Sequence, residues 1–376
     1  MTIARKIIGG TLAATTLGVA SLAAIIYVRA GSMQNASARD YSSALTHGHT
    51  LEIQHYLTRP MDAARTLAQI MEGYESIEPE KRRGHFDQML KRVLEANPDF
   101  LGVWSCWEPN ALDGLDAQHV DAKGSDKTGR YIPYWNRGKG SIDLEPLIDY
   151  DKPGPGDYYQ VPLNTGEEAI IEPYFYPVGG KQVLLTSLVV PVKKNGKVLG
   201  VAGIDIPIAQ LQTIVEQIKP YGTGVAAIFA NAGVVAAHFD PSRLGKQMRE
   251  TERDMAGDRT GQMADAVKAG QPYSFTTYSR NMGTDILVLT SPIAVGGSKT
   301  PWSLAIGIPM NQVRAPVRAL LNFTITIGVL IVVAVVVVVV LLARSIVRPI
   351  NQAAEMMKDI AQGEGDLTRR LPENSG

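Results

Sequence analysis

The chain has 376 residues, with 37 basic and 37 acidic side chains and therefore no formal net charge. Neutrality argues against nucleic-acid binding, which normally requires a basic excess, and a single cysteine excludes an intrachain disulfide framework and a multi-cysteine zinc site. Because 45% of the residues are hydrophobic and only 20% are charged, global disorder is also excluded.

Two uncharged segments stand out near the ends of the chain, at 7–28 and 320–342. Each approaches the roughly 20 apolar residues that cross a bilayer core as a helix, so we expect transmembrane helices at 7–29 and 320–342. For the first segment a cleaved signal peptide is the alternative. Its apolar run is longer than the usual core of such a peptide, so a retained anchor is favoured.

Basic residues predict the orientation of these helices, because cytoplasmic flanks are enriched in Lys and Arg. Arg5 and Lys6 precede the first helix. The basic residues that follow the second are Arg344, Arg348, Lys358, Arg369 and Arg370. We therefore expect residues 1–6 and 344–376 in the cytoplasm, residues 33–310 in the periplasm, and the protein in the bacterial inner membrane.

The expected periplasmic segment begins with helices. Apolar residues recur at helical spacing from about 33 to 72 and again from 79 to 96. Strand patterns then follow at 100–107, 130–135, 169–178, 181–192 and 197–206. The last two are joined through Asn195-Gly196, a pair that favours a tight hairpin turn, and a helix is expected at 207–218.

A shorter set of elements repeats this plan. Strand patterns occur at 223–230, 233–238, 272–279, 284–293 and 301–308, with helical turns near 241–248 and 258–269. The sequence thus predicts two antiparallel-sheet modules, a membrane-distal module at about 80–218 and a membrane-proximal module at about 219–310.

Aromatic and acidic side chains are concentrated in the distal module. Buried positions most often hold aliphatic residues, so Tyr and Trp beside Asp and Glu indicate a pocket, although about half of these rings would serve only as packing. Aromatic faces attract a small cation, and a carboxylate forms charge-assisted hydrogen bonds with it. The aromatic residues are Trp104, Trp107, Tyr131, Tyr134, Trp135, Tyr150, Tyr158, Tyr159, Tyr174, Phe175 and Tyr176.

The layout of span, long helix and two mixed modules resembles the double Cache sensor domain over about residues 33–310. The most specific stretch is EPYFYPVGGKQVLLTSLVVPVKKNGKVLGVAGIDIPIAQL, at 172–211. After the second span, Arg348-Pro349-Ile350 and Gly365-Asp366-Leu367-Thr368 resemble the first half of a HAMP linker. Together these features resemble the sensory half of a bacterial methyl-accepting chemotaxis protein. The resemblance implies an α+β fold in which two transmembrane helices flank a periplasmic double Cache domain, followed by a HAMP-type helix.

Double Cache domains that bind amino acids carry an Arg-x-Trp-Tyr motif, an earlier Tyr and an Asp at the end of a later strand. In those domains the Arg and Trp hold the ligand carboxylate, and the Tyr and Asp hold its ammonium group. Aligned from Glu172-Pro173-Tyr174, the motif falls on 156–159, with Gly156 at the arginine position and Tyr158 at the tryptophan position. Tyr159 keeps the second aromatic residue, Tyr150 serves as the earlier Tyr, and Asp205 keeps the strand-end acid.

The resemblance therefore implies that the ammonium half of the site is kept and the carboxylate clamp is lost. This favours a small amine or quaternary ammonium ligand. An amino acid held through Arg137, or a small carboxylate near Lys181 and Arg130, remains open. The candidate ligand-binding residues are Tyr134, Trp135, Arg137, Tyr150, Tyr158, Tyr159, Glu172 and Asp205.

An apolar stripe follows the second span. Helical spacing places Ile346, Ile350, Ala353, Met356, Met357 and Ile360 on one face. Such a face needs partner helices, which predicts a homodimer, whereas the alternative is a helix lying on membrane lipid.

No catalytic residues, bound metal or cofactor are expected. His47, His49 and His55 do not share one helix face as a metal site would require, and Cys106 is interpreted as a packed strand residue. We expect a non-enzymatic chemoreceptor that signals through the second span and the HAMP helix to a cytoplasmic chemotaxis kinase and coupling protein. The rival interpretations are the sensory half of a histidine kinase or cyclic-dinucleotide enzyme, and a membrane-anchored binding protein without signalling output.

Overall fold

The computed structural model describes residues 3–362, which divide into two units. One unit comprises the terminal segments up to Ala38 and from Val313, and the other comprises Arg39–Gln312. The helices are α1 (Ile3–Glu72), α2 (Pro79–Ala96), α3 (Asp157–Thr165), α4 (Ile208–Gln217), α5 (Met248–Thr251), α6 (Arg253–Ala256), α7 (Thr260–Lys268), α8 (Met310–Val313), α9 (Ala315–Leu342) and α10 (Arg348–Ala361). The strands are β1 (Gly102–Trp107), β2 (Pro133–Asn136), β3 (Asp143–Pro146), β4 (Ala169–Ile170), β5 (Tyr174–Val178), β6 (Lys181–Lys194), β7 (Lys197–Pro207), β8 (Val225–Phe229), β9 (Val235–His238), β10 (Tyr273–Ser279), β11 (Thr284–Ile293) and β12 (Trp302–Pro309).

The terminal unit contains apolar parts of α1 and α9. Two helical stretches, at 8–72 and 315–358, are long and apolar enough to cross a membrane. Gly328 on α9 faces Val19 on α1 so closely that an added Cβ would overlap the valine side chain. Small residues of this kind allow close packing of apolar helices. A π-helical turn at Ala343–Val347 leads into α10, and the expected HAMP residues Gly365–Thr368, with Arg369 and Arg370, lie outside the described residues.

The sequence separates a first span from a long second helix, but the structure has one continuous helix there, α1. The part of α1 from Arg39 onwards belongs to the second unit and packs within it through a row of fully buried residues, Ile53, Leu57, Met61 and Ala64. Their spacing of three or four residues produces one apolar helix face. Pro60 lies inside this helix and leaves one carbonyl without its usual backbone donor.

The distal sheet is antiparallel and has the strand order β3-β2-β1-β7-β6-β4, with β5 also paired to β6. The β6–β7 hairpin that the sequence predicts is confirmed. Asn195 and Gly196 both adopt positive φ, at 50° and 80°, as the favoured two-residue hairpin turn requires. This hairpin forms the centre of the sheet and carries Asp205 near the end of β7.

The proximal sheet has the order β10-β11-β12-β8-β9, and β9 is an edge strand. All five strands that the sequence predicts in this module are confirmed within about two residues. In the distal module, the single strand predicted at 169–178 is wrong, because β4 and β5 pair with different parts of β6 on either side of Pro173. Strand β3 and helix α3 were not predicted.

Candidate ligand-binding site

The site lies on the face of the distal sheet formed by β1, β2 and β7. Trp104 is paired with Tyr134 on one neighbouring strand and with Gly203 on the other. A Cβ at Gly203 would overlap the Trp104 indole, and a Cβ at Gly102 would overlap the Tyr134 ring. These two glycines therefore form a floor on which an indole and a phenol lie against the sheet backbone.

Asp205 is the acidic group at this floor, and only 2% of its surface is exposed. Its Oδ1 accepts hydrogen bonds from the Trp104 indole nitrogen at 2.8 Å and from the Ser187 hydroxyl at 2.6 Å. The Ser187 hydroxyl is in turn 2.7 Å from the hydroxyl of Tyr174. Burial raises the pKa of Asp205 to about 6, and the hydrogen bonds from Ser187 and Trp104 act in the opposite direction. A neutral network thus surrounds a carboxylate that is costly to ionise.

The hydroxyl of Tyr134 is also buried beside Asp205. Burial and the neighbouring carboxylate raise the pKa of this phenol well above its ordinary value. The hydroxyl also acts on the Asp205 carboxylate and lowers its pKa, although within residues 3–362 no partner meets it in the geometry of a well-formed hydrogen bond. A buried hydroxyl normally finds a partner, and the Tyr134 hydroxyl is therefore a second polar group of the site beside Asp205.

Three further tyrosines complete an aromatic enclosure. The Tyr158 ring meets Trp104 edge-on with centroids 5.1 Å apart and stacks on Tyr174 at 6.1 Å with an interplanar angle of 11°. Tyr176 packs edge-on against both Tyr134 and Tyr158 at 5.7 Å. Tyr158 is fixed by a 2.6 Å hydrogen bond from its hydroxyl to the carbonyl of Ile148.

Tyr150 and Tyr159 lie in an adjoining layer around Arg130. The Arg130 guanidinium is 4.7 Å from the Tyr150 ring centroid and 5.5 Å from that of Tyr159, and it donates a 2.9 Å hydrogen bond to the Tyr159 hydroxyl. The Tyr159 hydroxyl donates to Glu108, and the Tyr150 hydroxyl donates to Asp126 at 2.6 Å. Both phenols therefore already have partners at this end of the cluster.

The other three sequence candidates lie outside the Asp205 enclosure. Trp135 follows Tyr134 on β2 and so faces the opposite side of the sheet, where its indole donates to Asp87 at 3.3 Å. Arg137 donates a 2.5 Å hydrogen bond to the carbonyl of Leu94 at the end of α2.

Glu172 extends towards the proximal module. Its Oε1 accepts a 2.8 Å hydrogen bond from the backbone N–H of Ala232 in the β8–β9 turn. Burial raises the pKa of Glu172, while the backbone N–H groups of Ala232, Val234 and Asn231 lower it. This carboxylate therefore belongs to a contact between the modules.

Gly156, at the position that corresponds to the clamp arginine, is tightly enclosed by backbone. An added Cβ would overlap the carbonyl oxygen of Asp149 and lie 2.7 Å from that of Lys152. A side chain at this position requires the preceding loop to move, so the loop itself excludes an arginine there.

Sequence reasoning missed Ser187, Gly102 and Gly203. Ser187 lies within the apolar run of β6, and no local pattern distinguishes its hydroxyl from a packing residue. The glycines carry a usable signal, because isolated glycines in a strand pattern indicate close approach of another group. Trp104 and Tyr174 stand among the aromatic residues noted in the sequence, and their closeness to Asp205 depends on strand pairing.

The assembled site is an aromatic enclosure with one acidic group and no basic one. No Lys or Arg side chain of the described chain contributes to the electrostatics of Asp205. The aromatic faces and the carboxylate together suit a small organic cation.

Comparison with known families matches residues 32–317 to the Cache domain in its dCache_1 form and residues 341–376 to the HAMP domain. The methyl-accepting chemotaxis protein TlpQ of Pseudomonas aeruginosa is 33% identical over 317 residues, which is 77% of this chain and 43% of TlpQ. PctB of the same organism is 28% identical over 223 residues, or 59% of this chain and 33% of PctB. The chain thus spans less than half the length of these relatives.

Two solved structures share the fold. The extracellular domain of the histidine kinase candidate mmHK1S-Z3 has a TM-score of 0.65 and 27% identity, covering 74% of this chain and 98% of that domain. Methyl-accepting chemotaxis protein X has a TM-score of 0.61 and 24% identity, covering 73% of this chain and 98% of that one, and this likeness concerns the fold alone. The matched region includes both sheet modules and the Asp205 site, and the chain therefore belongs to the double Cache family and is homologous to the methyl-accepting chemotaxis proteins of Pseudomonas.

Proposed function

We propose that this chain is the sensory part of a transmembrane chemoreceptor and that its distal module binds a small organic ammonium ion at Asp205. The observation that carries the proposal is the buried Asp205 carboxylate, enclosed by aromatic rings without a cationic partner. A buried carboxylate is unfavourable unless it is paired, and a ligand cation would supply the missing charge.

The enclosure can recognise a cation in two ways. The faces of Trp104, Tyr158 and Tyr174 would attract the positive charge and its alkyl groups. Asp205 and the Tyr134 hydroxyl beside it would accept hydrogen bonds from N–H groups of the ligand. A primary ammonium ion uses both kinds of contact, whereas a quaternary ammonium ion uses chiefly the first.

An amino acid or a small carboxylate is a weaker fit. The Arg137 guanidinium is engaged with α2, and Arg130 donates to the Trp107 carbonyl at 2.6 Å and to Tyr159. Using Arg130 as a carboxylate clamp would require it to exchange these partners, whereas the Arg137 Nε has no partner in the described chain but lies outside the Asp205 enclosure. The loss of the clamp position at Gly156 supports the same preference for a ligand without a carboxylate.

The proposed topology follows from the two apolar helices that flank the Cache domain. We place the domain in the periplasm and the chain in the bacterial inner membrane, in contact with lipid through α9 and the first part of α1. A homodimer would cover the apolar stripe of α10. Ligand binding would bias two packings of the helices, and the HAMP helix would pass that bias to a chemotaxis kinase and coupling protein.

The sensory half of a histidine kinase is the second candidate, because one of the solved neighbours is the extracellular domain of a histidine kinase candidate. Both alternatives use the same Cache sensor and differ in the cytoplasmic output. Fusing residues 1–376 to the signalling region of a chemoreceptor and separately to a kinase module tests this. A chemoreceptor is supported if ligand changes swimming through the first fusion and leaves autophosphorylation of the second unchanged, and the reverse result supports a kinase.

Titration calorimetry on the full chain in nanodiscs tests the ligand class. The probes are n-butylammonium, tetramethylammonium, L-alanine and succinate at pH 7.5. We expect n-butylammonium to bind and Asp205→Asn to abolish binding, since the substitution removes the charge and keeps the shape. Asp258→Asn is the matched control, because Asp258 is exposed in the other module, and it should leave binding unchanged. Binding of succinate but not of either cation would overturn the amine assignment.

A further inference from the structure

The β8–β9 hairpin of the proximal module is held by the distal module at two points. One is its turn, at Ala232, and the other is the end of β9, at His238. Each contact is made by a single distal-module side chain, Glu172 at the turn and Gln212 at the strand end. The hairpin backbone is therefore hydrogen-bonded by the distal module at both of its ends, while the loop before β12 has a separate contact, from the Gly297 N–H to Glu168.

Gln212 on α4 forms a two-point contact with the backbone of His238. Its side-chain nitrogen donates to the His238 carbonyl at 2.6 Å, and its side-chain oxygen accepts from the His238 N–H at 2.9 Å. Because β9 is an edge strand, its outward backbone groups need partners. Gln212 supplies partners for the N–H and the carbonyl of His238. Its own side chain is only 9% exposed, so the contact is shielded from competing water.

Glu172 holds the hairpin turn by the bond from the Ala232 N–H to its Oε1. Its second oxygen is buried and has no hydrogen-bonding partner in the described chain. The backbone N–H groups of Val234 and Asn231 also act on this carboxylate, so Glu172 fixes the turn to the segment that joins β4 and β5.

Both holding side chains lie close to the Asp205 network along the chain. Glu172 precedes Tyr174 by two residues, and Tyr174 reaches Asp205 through the Ser187 hydroxyl. Gln212 follows Asp205 by seven residues along β7 and α4 without an intervening loop. A change in the position of Asp205 relative to Tyr174 would therefore change the separation of the two points that hold the hairpin.

The hairpin leads directly to the last strand of the domain. β8 pairs with β12 from Phe229 opposite Ser303 to Val225 opposite Gly307. β12 is followed along the chain by α8 and then by the apolar helix α9. A strain imposed on β8–β9 is thus transmitted to the strand that precedes the second expected span.

We propose that the β8–β9 hairpin couples the ligand site to β12, with Glu172 and Gln212 as the positioning residues that hold it. The proposal rests on the proposed function, because it takes Asp205 as the point of ligand contact. Bound ligand restrains Asp205 and both holding contacts, which reduces local opening of the hairpin and of the β12 pairing. Coupling of this kind is carried by elements whose arrangement both sites influence.

Hydrogen exchange of the full chain in nanodiscs tests the coupling, with the β12 segment 302–309 as readout. In the unsubstituted protein, n-butylammonium should slow exchange of this segment by about threefold or more. In the double variant Glu172→Ala, Gln212→Leu, the cation should bind within about twofold of the same Kd, and the slowing should vanish. A merely structural role would change the basal exchange and leave the ligand-induced change in place.

Two matched controls separate the hairpin from other contacts. Gln217→Leu makes the same substitution at an exposed position of α4. Glu167→Ala breaks an ion pair with Lys299, which joins the same two modules away from the hairpin. Both should retain the ligand-induced slowing.

A second arm does not depend on the ligand. Asp205→Asn, in ligand-free protein, should alter exchange of 302–309 in the presence of Glu172 and Gln212 but not in the double variant. Failure of n-butylammonium to bind contradicts the proposed function, and this arm then decides the coupling alone. The coupling is overturned if, in the double variant, n-butylammonium or Asp205→Asn still changes the exchange of 302–309. It is also overturned if neither changes that exchange when Glu172 and Gln212 are present.

Discussion

The pKa of Asp205 makes a quantitative prediction about cation binding. If the cation binds only the ionised carboxylate, its affinity follows the ionised fraction of Asp205. For a pKa of about 6, that fraction is about nine-tenths at pH 7 and about one-tenth at pH 5. The Kd of n-butylammonium should therefore rise about tenfold between pH 7 and pH 5.

The other ionisable groups that face Asp205 do not interfere in this range. They are the phenols of Tyr134, Tyr174 and Tyr176, whose pKa values burial raises above the ordinary value of 10. A primary alkylammonium ion has a pKa near that of lysine, about 10.4, so the ligand keeps its charge. Asp205 is thus the group around the site whose charge changes between these pH values.

Titration calorimetry at pH 5, 6 and 7 in buffers of equal ionic strength measures the effect. The calorimetric enthalpy should also depend on the buffer below pH 6, because binding then releases the Asp205 proton. The reasoning is refuted if the Kd stays constant across this range, or if binding tightens at pH 5. Tighter binding at low pH is instead what a carboxylate ligand would show, because ionised Asp205 repels an anion.

The raised pKa of Asp205 affects folding in the opposite direction: as pH rises, cation binding tightens but the folded state loses stability. Asp205 binds its proton more tightly in the folded chain than in the unfolded chain, so its ionisation destabilises the fold as pH rises from 3.8 to about 6. The full difference corresponds to ~3 kcal/mol. Asp205→Asn avoids this cost, and its thermal midpoint relative to the unsubstituted protein should be higher at pH 7.5 than at pH 4. An equal difference at both pH values would contradict the shift.

Three further outcomes are expected from the packing of the distal module. Gly203→Ala should abolish cation binding and destabilise the fold by about 1–3 kcal/mol, because the new methyl group displaces an indole. Gly84→Ala, in open space on α2, should be neutral or stabilising in the same thermal melts and calorimetry. Arg83→Ala leaves two buried carboxylates unpaired and should cost about 3–5 kcal/mol in chemical denaturation, whereas Arg92→Ala on the exposed side of α2 should cost under ~1 kcal/mol. Cys106, whose thiol pKa burial raises, should resist iodoacetamide in the folded protein and react on denaturation; rapid native alkylation would contradict its burial.

Local sequence signals predicted most of the strands, because their information lies within a few residues. The Asn195-Gly196 turn joins β6 to β7, but a one-residue register shift between Val192 and Lys193 is also needed to place Asp205 opposite Ser187. The split of the predicted strand at 169–178 also has a local cause, since Pro173 has no backbone N–H for the ladder.

The composition of the site was harder to predict, because it depends on which face each residue occupies. Tyr134 and Trp135 are adjacent on β2 and both stood as candidates, although the two-residue period of a strand directs only one of them to the face that carries Asp205. Glu172 reaches another module, a contact that no spacing within the distal module encodes. For Asp205, the strand-end position expected from the sequence agrees with the structure, where the residue lies near the end of β7 among aromatic side chains.

The closure of the aromatic enclosure affects the timing of a response. Trp104, Tyr134 and Tyr158 are each 1% exposed, and Asp205 is 2% exposed, so a solute must wait for the enclosure to open. The association rate should then level off at the opening rate as ligand concentration rises, and the apparent affinity is reduced by the open fraction. Concentration changes briefer than the opening interval would be averaged before any signal forms. Under the proposed function, the burial of Asp205 would therefore set a lower limit on the time over which the protein averages ligand concentration.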